Sequence, residues 1–375
     1  MFLTKLAFKN LVRHRNRTII TSIIIALAIF IYIIYDSLIG GMTEMSYATI
    51  IDFESGHLQL VDENYWEEEE KLPLDNLFTY NDELKIMVEA VAGYLAASAE
   101  LSFTAQLNNG IDELPVLGKG IDPAVFEEVF RMENNFEEGS MFLPGERKAV
   151  LGKRLAELME LGVGDFITLL VKGKHNTFNT IDVEIAGLVH TSNPSVNQNT
   201  VYLPLDLVQE ALNTGDQVSK VIIRLEDKGL SAEAAEELES LLQKEYPGLA
   251  VYPWYTLEAI TFLGAAELEK QVILAIILTI AAIAIINTVI LAALERMTEI
   301  GMMKAQGLQN HELVYTFVME STGIGIIGGI IGMIIGIIAV WLMSRYGVDF
   351  NALVGMDMAS FGLPILGKTY GVWNP

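Results

Sequence analysis

Long apolar runs separate polar stretches along this chain of 375 residues. They extend from Thr18 to Gly40, with no charge before Asp36, and over Gln271–Leu294 and Ser321–Ser344. A helix rises about 1.5 Å per residue, so roughly 20 apolar residues cross the hydrocarbon layer of a bilayer. We therefore expect an α-helical membrane bundle of three spans, at residues 18–40, 271–294 and 315–345.

Residues 41–270 show a different pattern, in which short apolar runs alternate with polar and turn-forming residues. Some 230 residues can bury a core of their own, and mixed periodicities predict an α+β domain of one or two lobes between spans one and two. Strands are predicted at Gly56–Val61, Leu114–Leu117, Asp165–Val171, Asp182–Val189 and Val221–Leu225. Helices are predicted at Asp82–Glu100, Pro123–Met132, Leu151–Leu161, Leu205–Leu212 and Ser231–Glu245, the last with Ser231 as N-cap, and a helical stalk at Leu257–Lys270.

The N-terminal residues 1–17 contain five basic side chains and no acidic one. On a helix, Lys5, Lys9, Arg13 and Arg17 form one stripe, which suits an amphipathic helix lying on anionic lipid. An ordinary basic flank without a helical role is the alternative. Either case predicts a cytoplasmic N-terminus. Residues 41–270 and 346–375 are then extracytoplasmic, and residues 295–314 form a cytoplasmic loop.

Charge and cysteine content narrow the function classes. Residues 41–270 carry 41 acidic and 15 basic side chains, and the whole chain has a net charge of −24. This excess of negative charge disfavours a nucleic-acid partner, because phosphates require a basic surface. With no cysteine, the chain forms no disulfide and no thiolate metal site.

Motifs for catalysis are missing from the sequence. The five histidines (His14, His57, His175, His190 and His311) belong to no zinc-hydrolase pattern, and no G-x-S-x-G or G-x-x-x-x-G-K-[ST] occurs. We therefore expect no enzyme, no metal and no cofactor in this chain. Any ATP must be bound by a different polypeptide. Gly323–Gly328 spells G-x-G-x-x-G, but its uncharged surroundings favour a membrane helix over a dinucleotide site.

Two polar features allow more than one interpretation. The run Glu67–Glu70 beside Trp66 could attract a divalent cation, although a solvated charge run is the simpler explanation. Asn287, in the middle of the second span, either hydrogen-bonds a neighbouring helix or contributes to a substrate site.

The third span is rich in glycine. Gly325, Gly328, Gly329, Gly332 and Gly336 form successive G-x-x-x-G steps, which let helix backbones approach closely in lipid. We expect tight packing there, within the subunit or across a dimer.

A short polar segment, Glu295–Gly307, lies between spans two and three. Its alternating charges and its two glycines, which suit helix ends or turns, predict a cytoplasmic loop that docks onto another protein. The residues expected to form this coupling loop are Glu295, Arg296, Glu299, Ile300, Gly301, Lys304, Ala305 and Gly307.

Several stretches resemble one known family. Residues 6–18 (LAFKNLVRHRNRT) resemble its opening motif, and residues 295–307 resemble its loop E-R-x-x-E-I-G-x-x-(K/R)-A-x-G, followed by Glu320 and a glycine-rich span. Residues 56–60 (GHLQL), 151–157 (LGKRLAE) and 164–165 (GD) add weaker matches. The chain thus resembles the FtsX-like or MacB-like ABC transporter permeases, and within them the lipoprotein-releasing (LolC/LolE-like) group.

The resemblance implies a multi-pass protein of the bacterial cytoplasmic membrane with a MacB-like periplasmic core domain. It also implies a homo- or heterodimer of permeases on separate ABC ATPase subunits. ATP-driven motion would pass through the membrane helices to the outer domain, which acts on a lipoprotein or another extracytoplasmic substrate such as a peptide, toxin or drug. The family has a fourth span, so we expect that the chain is either a truncated product or a member without that helix.

Other function classes remain as hypotheses. The same machine could act as an FtsX-like, non-transporting mechanical regulator of an extracellular cell-wall hydrolase. A membrane-anchored enzyme would require catalytic groups that are scattered in the sequence but meet in space.

Overall fold

The uninterrupted apolar runs form long helices, and the alternating apolar and polar positions form a domain with a β-sheet. The computed structural model describes residues 11–13, 15–295, 297–305, 307–349, 352, 355 and 368–373. These residues form two compact units. The membrane unit contains the described residues up to Glu44, those of Phe262–Asp349 and residues 368–373. The domain unit contains Met45–Thr261 and residues 352 and 355.

The chain order of the elements is as follows. The helices are α1 (Arg15–Ile50), α2 (Glu63–Glu67), α3 (Asp82–Glu89), α4 (Pro123–Val129), α5 (Lys153–Leu158), α6 (Pro194–Asn199), α7 (Leu205–Leu212), α8 (Ser231–Glu245), α9 (Glu258–Glu295), α10 (Met297–Ala305) and α11 (Asn310–Tyr346). The strands are β1 (Leu58–Asp62), β2 (Phe78–Thr79), β3 (Tyr94–Asn108), β4 (Glu113–Ile121), β5 (Phe136–Gly139), β6 (Lys148–Gly152), β7 (Phe166–Lys172), β8 (Phe178–Val189), β9 (Thr200–Pro204), β10 (Gln217–Val218), β11 (Lys220–Leu225), β12 (Leu249–Pro253), β13 (Val348–Asp349) and β14 (Lys368–Thr369).

Three helices are long and apolar enough to cross a membrane. These candidate spans cover Thr18–Ser55, Leu268–Glu295 and Asn310–Tyr346 in the part of the chain that the structure describes. Each contains one of the spans predicted from the sequence. The predicted stalk, Leu257–Lys270, lies almost entirely in α9, which begins at Glu258.

The domain unit is built on one ten-stranded sheet. Its strand order is β12-β1-β11-β3-β4-β9-β6-β8-β5, with β7 paired to β3 and β8. The longest strand, β3, pairs through its first half with β11 and through its second half with β4 and β7. The first and last strands of the sheet by chain order, β1 and β12, are antiparallel neighbours, with Leu58 opposite Pro253. The chain segment that leads into β1 and the segment that follows β12 are therefore attached to adjacent strands. We call these two segments the chain connections of the domain.

Separate groups of buried apolar side chains lie along this continuous sheet. The largest group includes Leu101, Leu151 and Val183. A second group, which includes Leu58 and Leu238, lies under α3 and α8. Mixed strands and helices confirm the α+β prediction, and one sheet joins the separate cores.

Three predictions about the domain are wrong. In the predicted helix Leu151–Leu161, Leu151 and Gly152 belong instead to β6, whose pairing with β8 and β9 includes Leu151, and α5 covers only Lys153–Leu158. All five predicted strands exist, but the predicted helix Asp82–Glu100 ends at Glu89, and the residues from Tyr94 onward form β3. Ser231 is the first residue of α8 and makes no capping hydrogen bond. The cap lies earlier, where the Asp227 carboxylate accepts the backbone N–H of Gly229 at the start of a 3₁₀ turn.

Candidate functional site

The predicted coupling loop is a short helix rather than an irregular loop. Helix α10, Met297–Ala305, lies between the ends of α9 and α11. Gly301 is inside this helix, so the prediction that it marks a helix end or turn is wrong. A Cβ atom at Gly301 would meet no described atom within 4 Å. Because glycine weakens a helix by roughly 1 kcal/mol relative to alanine, and none of the described residues fills the space, the position is open to a partner.

Gly307 ends the segment as predicted. Its φ is +95°, its N–H donates to the Lys304 carbonyl at 3.0 Å, and the N–H of Leu308 donates to the Met303 carbonyl at 3.2 Å. This pair of bonds is the Schellman arrangement, which requires the left-handed backbone that glycine adopts without strain. Helix α11 then begins with a capping box between Gln309 and Glu312. The turn between α10 and α11 is therefore fixed on both sides.

The other predicted loop residues are placed as follows. Glu295 is the last residue of α9, Ile300 is half-buried, and Lys304 and Ala305 are exposed. Arg296 lies outside the described residues, and Glu299 belongs to α10 without a described side chain. Their predicted roles in docking remain predictions.

Three of the five predicted packing glycines line one face of α11 against α1. A Cβ atom at Gly332 would lie 2.6 Å from the Ala26 carbonyl oxygen, and one at Gly328 would lie 2.8 Å from that of Ser22. At Gly336 it would lie 2.7 Å from Ile33 Cδ1. Since real Cβ contacts are longer than about 3 Å, only glycine permits this approach of the two backbones.

The remaining two glycines differ. A Cβ atom at Gly329 would make an ordinary 3.8 Å contact with Ile29, whereas one at Gly325 would meet nothing described within 4 Å. Asn287 is exposed on α9 and makes no hydrogen bond to the described residues. Its neighbour Thr288 lies in hydrogen-bond contact with Thr21 of α1 at 3.4 Å. Close packing within this chain therefore uses Gly328, Gly332 and Gly336.

A polar contact that the sequence analysis missed joins α1 to α9. The Tyr35 hydroxyl donates to Glu269 Oε1 at 3.1 Å, and Lys270 Nζ lies 3.5 Å from Asp36 Oδ1. Such contacts are strong where water is scarce, because charges and hydroxyls find few other partners. The one sequence feature that could have indicated it is Asp36, a charge within an apolar run.

The basic stripe is mostly outside the described residues. Lys5 and Lys9 fall there, and only the backbone of Arg17 is described, in α1. Arg13 is exposed and helical. The lipid-surface role stays a prediction.

Within the domain unit, a five-residue π-helical turn, Ile51–Ser55, joins α1 to β1. Its side chains are tied to the sheet and to a neighbouring loop. Arg224 donates through Nη1 to Asp52 Oδ1 at 2.6 Å and to the Val129 carbonyl at 3.1 Å. The Asn193 amide donates to Glu54 Oε2 at 3.1 Å. A π-turn is a local irregularity common at functional positions, and here it is held by buried polar contacts.

The connection that follows β12 is anchored beside it. The backbone N–H of Trp254 donates to the His57 carbonyl at 3.0 Å. The Trp254 ring also packs on Tyr47 of α1, with 5.0 Å between ring centroids. Both chain connections of the domain are thereby held at one place.

His57 is a structural group at this junction. Its Nδ1 accepts the backbone N–H of Leu225 at 3.1 Å, and the side chain is buried. Burial, and secondarily the nearby Arg224 charge, lower the pKa of His57 to about 4. A neutral imidazole is required, because its unprotonated nitrogen accepts the hydrogen bond.

Charged residues also occur inside the sheet. Glu100 lies 3.2 Å from Lys119 and 3.8 Å from Lys220, and accepts the Ser102 hydroxyl at 2.6 Å. Burial alone would raise the pKa of Glu100, but the two lysines and Ser102 outweigh it and hold the pKa below its usual value. The cluster supplies charge balance within the core rather than a reactive site.

The prediction of a solvated run at Glu67–Glu70 is wrong for one of its four residues. Glu69 pairs with the buried ammonium of Lys220 at 3.0 Å, so it compensates a charge of the core. Glu67, Glu68 and Glu70 are exposed, and Glu68 pairs with Lys71 at 2.9 Å. Across the described residues, no group of three or more histidines and carboxylates is placed to hold one metal ion.

Comparison with known families gives two matches. Residues 18–241 match the MacB-like periplasmic core domain, and residues 271–367 match the FtsX-like permease C-terminal family. The first match alone covers more than half of the chain.

Individual relatives agree with these families. The chain is 24% identical over 297 residues to the lipoprotein-releasing system transmembrane protein LolC of Neisseria meningitidis, covering 76% of this chain and 70% of that one. It is 23% identical over 381 residues to an uncharacterised ABC transporter permease of Methanocaldococcus jannaschii, covering 95% and 90%. It is 22% identical to the macrolide export ATP-binding/permease protein MacB of Escherichia coli, covering 93% of this chain and 53% of that one.

Among solved structures, the periplasmic region of MacB from Actinobacillus actinomycetemcomitans matches 55% of this chain and 92% of its own, with 13% identity and a TM-score of 0.41. The two family matches, in the order of domain and then permease helices, carry the assignment. The chain belongs to the FtsX/MacB-like family of ABC transporter permeases.

Proposed function

We propose that this chain is the transmembrane subunit of an ABC complex and transmits the motion of a separate ATPase subunit to its MacB-like domain. The observation that carries the proposal is α10, a short helix between two candidate spans, with a fixed turn at Gly307 and an open position at Gly301. A helix joined to the next span by a fixed turn can pass on a displacement, whereas an irregular loop would absorb it.

The domain unit supports a mechanical role. Its two chain connections meet at the paired strands β1 and β12, and both are tied down by buried contacts around Asp52, His57 and Trp254. A force on either connection therefore acts first on this pair of strands at one edge of the sheet, and β11 links the pair to the other strands. No catalytic centre is needed for this work, and the ATP would be hydrolysed on the partner.

The proposed setting is the cytoplasmic membrane, with the N-terminus and α10 inside and the domain outside. A second permease subunit, identical or homologous, would complete the complex. One feature of the membrane helices supports it. Asn287 is exposed in the middle of the second candidate span, and a polar side chain there suits contact with another helix.

The proposed substrate is a lipid-anchored protein at the outer face of the membrane, released or exported without crossing the bilayer through this chain. The likeness to LolC supports this choice over a peptide, toxin or drug. Regulation of a cell-wall hydrolase is the alternative, and no feature of the described residues favours it.

The test is co-purification from native membranes with a tag at the N-terminus. The unmodified chain should bring down an ABC ATPase, and Gly301→Leu should lose it, because the added side chain points into the docking space. Gly325→Leu is the matched control, since no described atom lies within 4 Å of a Cβ at that helix glycine either, but it lies in a candidate membrane span. It should retain the ATPase.

Any further protein that co-purifies with the chain and the ATPase distinguishes between the two candidate functions. A lipoprotein supports release, and a cell-wall hydrolase supports the alternative. If the unmodified chain recovers no ATPase, or if Gly301→Leu recovers as much as Gly325→Leu does, the proposed docking role of α10 is wrong.

A further inference from the structure

A cavity of about 560 Å³ opens in the domain unit beside the acidic run. Its wall combines the π-turn, β1, the residues around α2 and the residues that precede α9. The lining residues are Glu54, Gln59, Trp66, Glu67, Glu68, Glu69, Glu70, Lys71, Lys220, Thr256 and Leu257. The volume lies within the range of small-ligand sites, roughly 300–1,000 Å³.

The wall has an excess of negative charge that the protein leaves partly uncompensated. Its five carboxylates face only two lysines, which pair with Glu68 and Glu69. Glu54 accepts a hydrogen bond from a neutral amide, that of Asn193. Glu67 and Glu70 form no ion pair with any residue that the structure describes. The cavity therefore presents a potential that attracts cations.

A second observation, independent of the acidic run, comes from Gln59. This β1 residue lines the cavity and is only 2% exposed, yet its amide oxygen has no hydrogen-bond partner among the described residues. On the two neighbouring strands, the residues opposite Gln59 are Ile222 and Tyr252. Neither forms a hydrogen bond with the amide oxygen of Gln59. A buried polar group without a partner is costly, and a ligand with N–H donors would satisfy it.

The spacing of the carboxylates decides the kind of cation. No three acidic or histidine side chains in the described ranges converge on one ion position, so a divalent metal has no cage here. An elongated molecule with several charged nitrogens can instead reach separate carboxylates. Trp66, which also lines the cavity and is half-buried, offers aromatic surface to an ammonium group or its methylene stem.

We propose that this cavity binds a linear organic polycation, whose ammonium groups pair with Glu67 and Glu70 while an N–H donor reaches the amide of Gln59. Free polyamines and the lysine side chains of an extended polypeptide share this chemistry. The site is independent of the ATPase and of the substrate proposed above. Its occupant would sit between the segments that follow α1 and precede α9.

The experiment is titration calorimetry of the full chain in detergent, at fixed ionic strength, with spermine and with tetralysine as separate probes. At least one probe should bind saturably with a stoichiometry of one. Spermine alone indicates a free polyamine, and tetralysine alone indicates a polypeptide. The double variant Glu67→Gln/Glu70→Gln should bind roughly five- to tenfold more weakly, the loss expected for two partly exposed ion pairs.

The matched control is Glu127→Gln/Glu128→Gln, which removes the same charge from two exposed residues of α4 that do not line the cavity. Its affinity should equal that of the unmodified chain. Gln59→Met should weaken binding without lowering the melting temperature, because it removes only an unpaired amide. Equal weakening in both double variants would show diffuse attraction to an acidic protein, and absence of saturable binding by either probe would remove the site. Either result overturns the proposal.

Discussion

Buried polar side chains hold the part of the domain where both chain connections enter. Asp52 comes from the π-turn, His57 directly precedes β1, and Arg224 is in β11, so their bonds are satisfied only when these three segments are in place. Such groups cost free energy if one partner is removed, because the other is left desolvated and unpaired. They therefore make the junction rigid as well as stable.

His57 gives this junction a measurable pH dependence. Its pKa is about 4 in the folded protein, against an ordinary value of 6.5. As the pH falls below 6.5 the unfolded chain takes up a proton that the folded chain refuses, so stability is lost until about pH 4. The loss amounts to about 3 kcal/mol.

Thermal melting in detergent at pH 7 and pH 4 checks this prediction. The unmodified chain should lose more stability between these values than His57→Gln, in which the titrating ring is absent. His175→Gln is the control, because His175 is an exposed residue of the β7–β8 turn. Equal pH dependence in the unmodified chain and in His57→Gln would contradict the assignment.

Residue-level pairings of this kind could not be predicted from the sequence. Glu100 and Lys220 are 120 positions apart, and each occurs within a run that looks amphipathic or apolar. Only the register of β3 against β11, in which Lys220 is opposite Glu100, brings them together. The acidic run Glu67–Glu70 is evident in the sequence. That Glu69 pairs with a core lysine, while Glu67 and Glu70 line an open cavity, follows only from the position of Lys220 on β11.

At the scale of elements, the sequence pattern correctly predicted those helices whose formation depends mainly on local sequence. Helices α7 and α8 have the predicted bounds, because each combines an amphipathic period with good helix formers. The predicted helix Asp82–Glu100 is wrong beyond Glu89 for the opposite reason. Residues 94–100 include three alanines and would accept a helix, but pairing with β11 overrides that preference.

The packing of α1 against α11 provides a test at this scale. Gly332→Ala should destabilise the chain by about 1–3 kcal/mol, because the methyl group would overlap the Ala26 backbone, which cannot move aside alone. Gly325→Ala adds the same methyl group to the same helix where nothing described lies within 4 Å. It should be neutral or slightly stabilising, since alanine favours helix.

The measurement is the melting temperature of both variants in one detergent. A fall confined to Gly332→Ala supports close backbone contact between these two helices. If both variants melt like the unmodified chain, α1 and α11 do not pack as closely as the structure places them. If only Gly325→Ala is destabilised, the critical glycine contact is elsewhere.

At the scale of the whole molecule, the charge distribution predicts how the chain is oriented in a membrane, and the absence of cysteine makes this orientation measurable. The first 17 residues are basic and residues 41–270 are strongly acidic, an asymmetry that predicts orientation in a membrane. The family assignment supplies the kind of protein but leaves the direction of insertion as a proposal. Because the chain has no cysteine, any thiol introduced into it is unique, and orientation can be measured directly.

Two cysteine variants test the proposed orientation. Ile111 is 89% exposed at the turn between β3 and β4, and Lys304 is exposed on α10. In spheroplasts treated with a membrane-impermeant maleimide, Ile111→Cys should be labelled at once, because the domain is proposed to be outside. Lys304→Cys should be labelled only after the membrane is permeabilised, and the unmodified chain should never be labelled. Labelling of Lys304→Cys in intact spheroplasts would place α10 outside, away from ATP, and an ATPase in the cytoplasm could then not drive the domain through this helix.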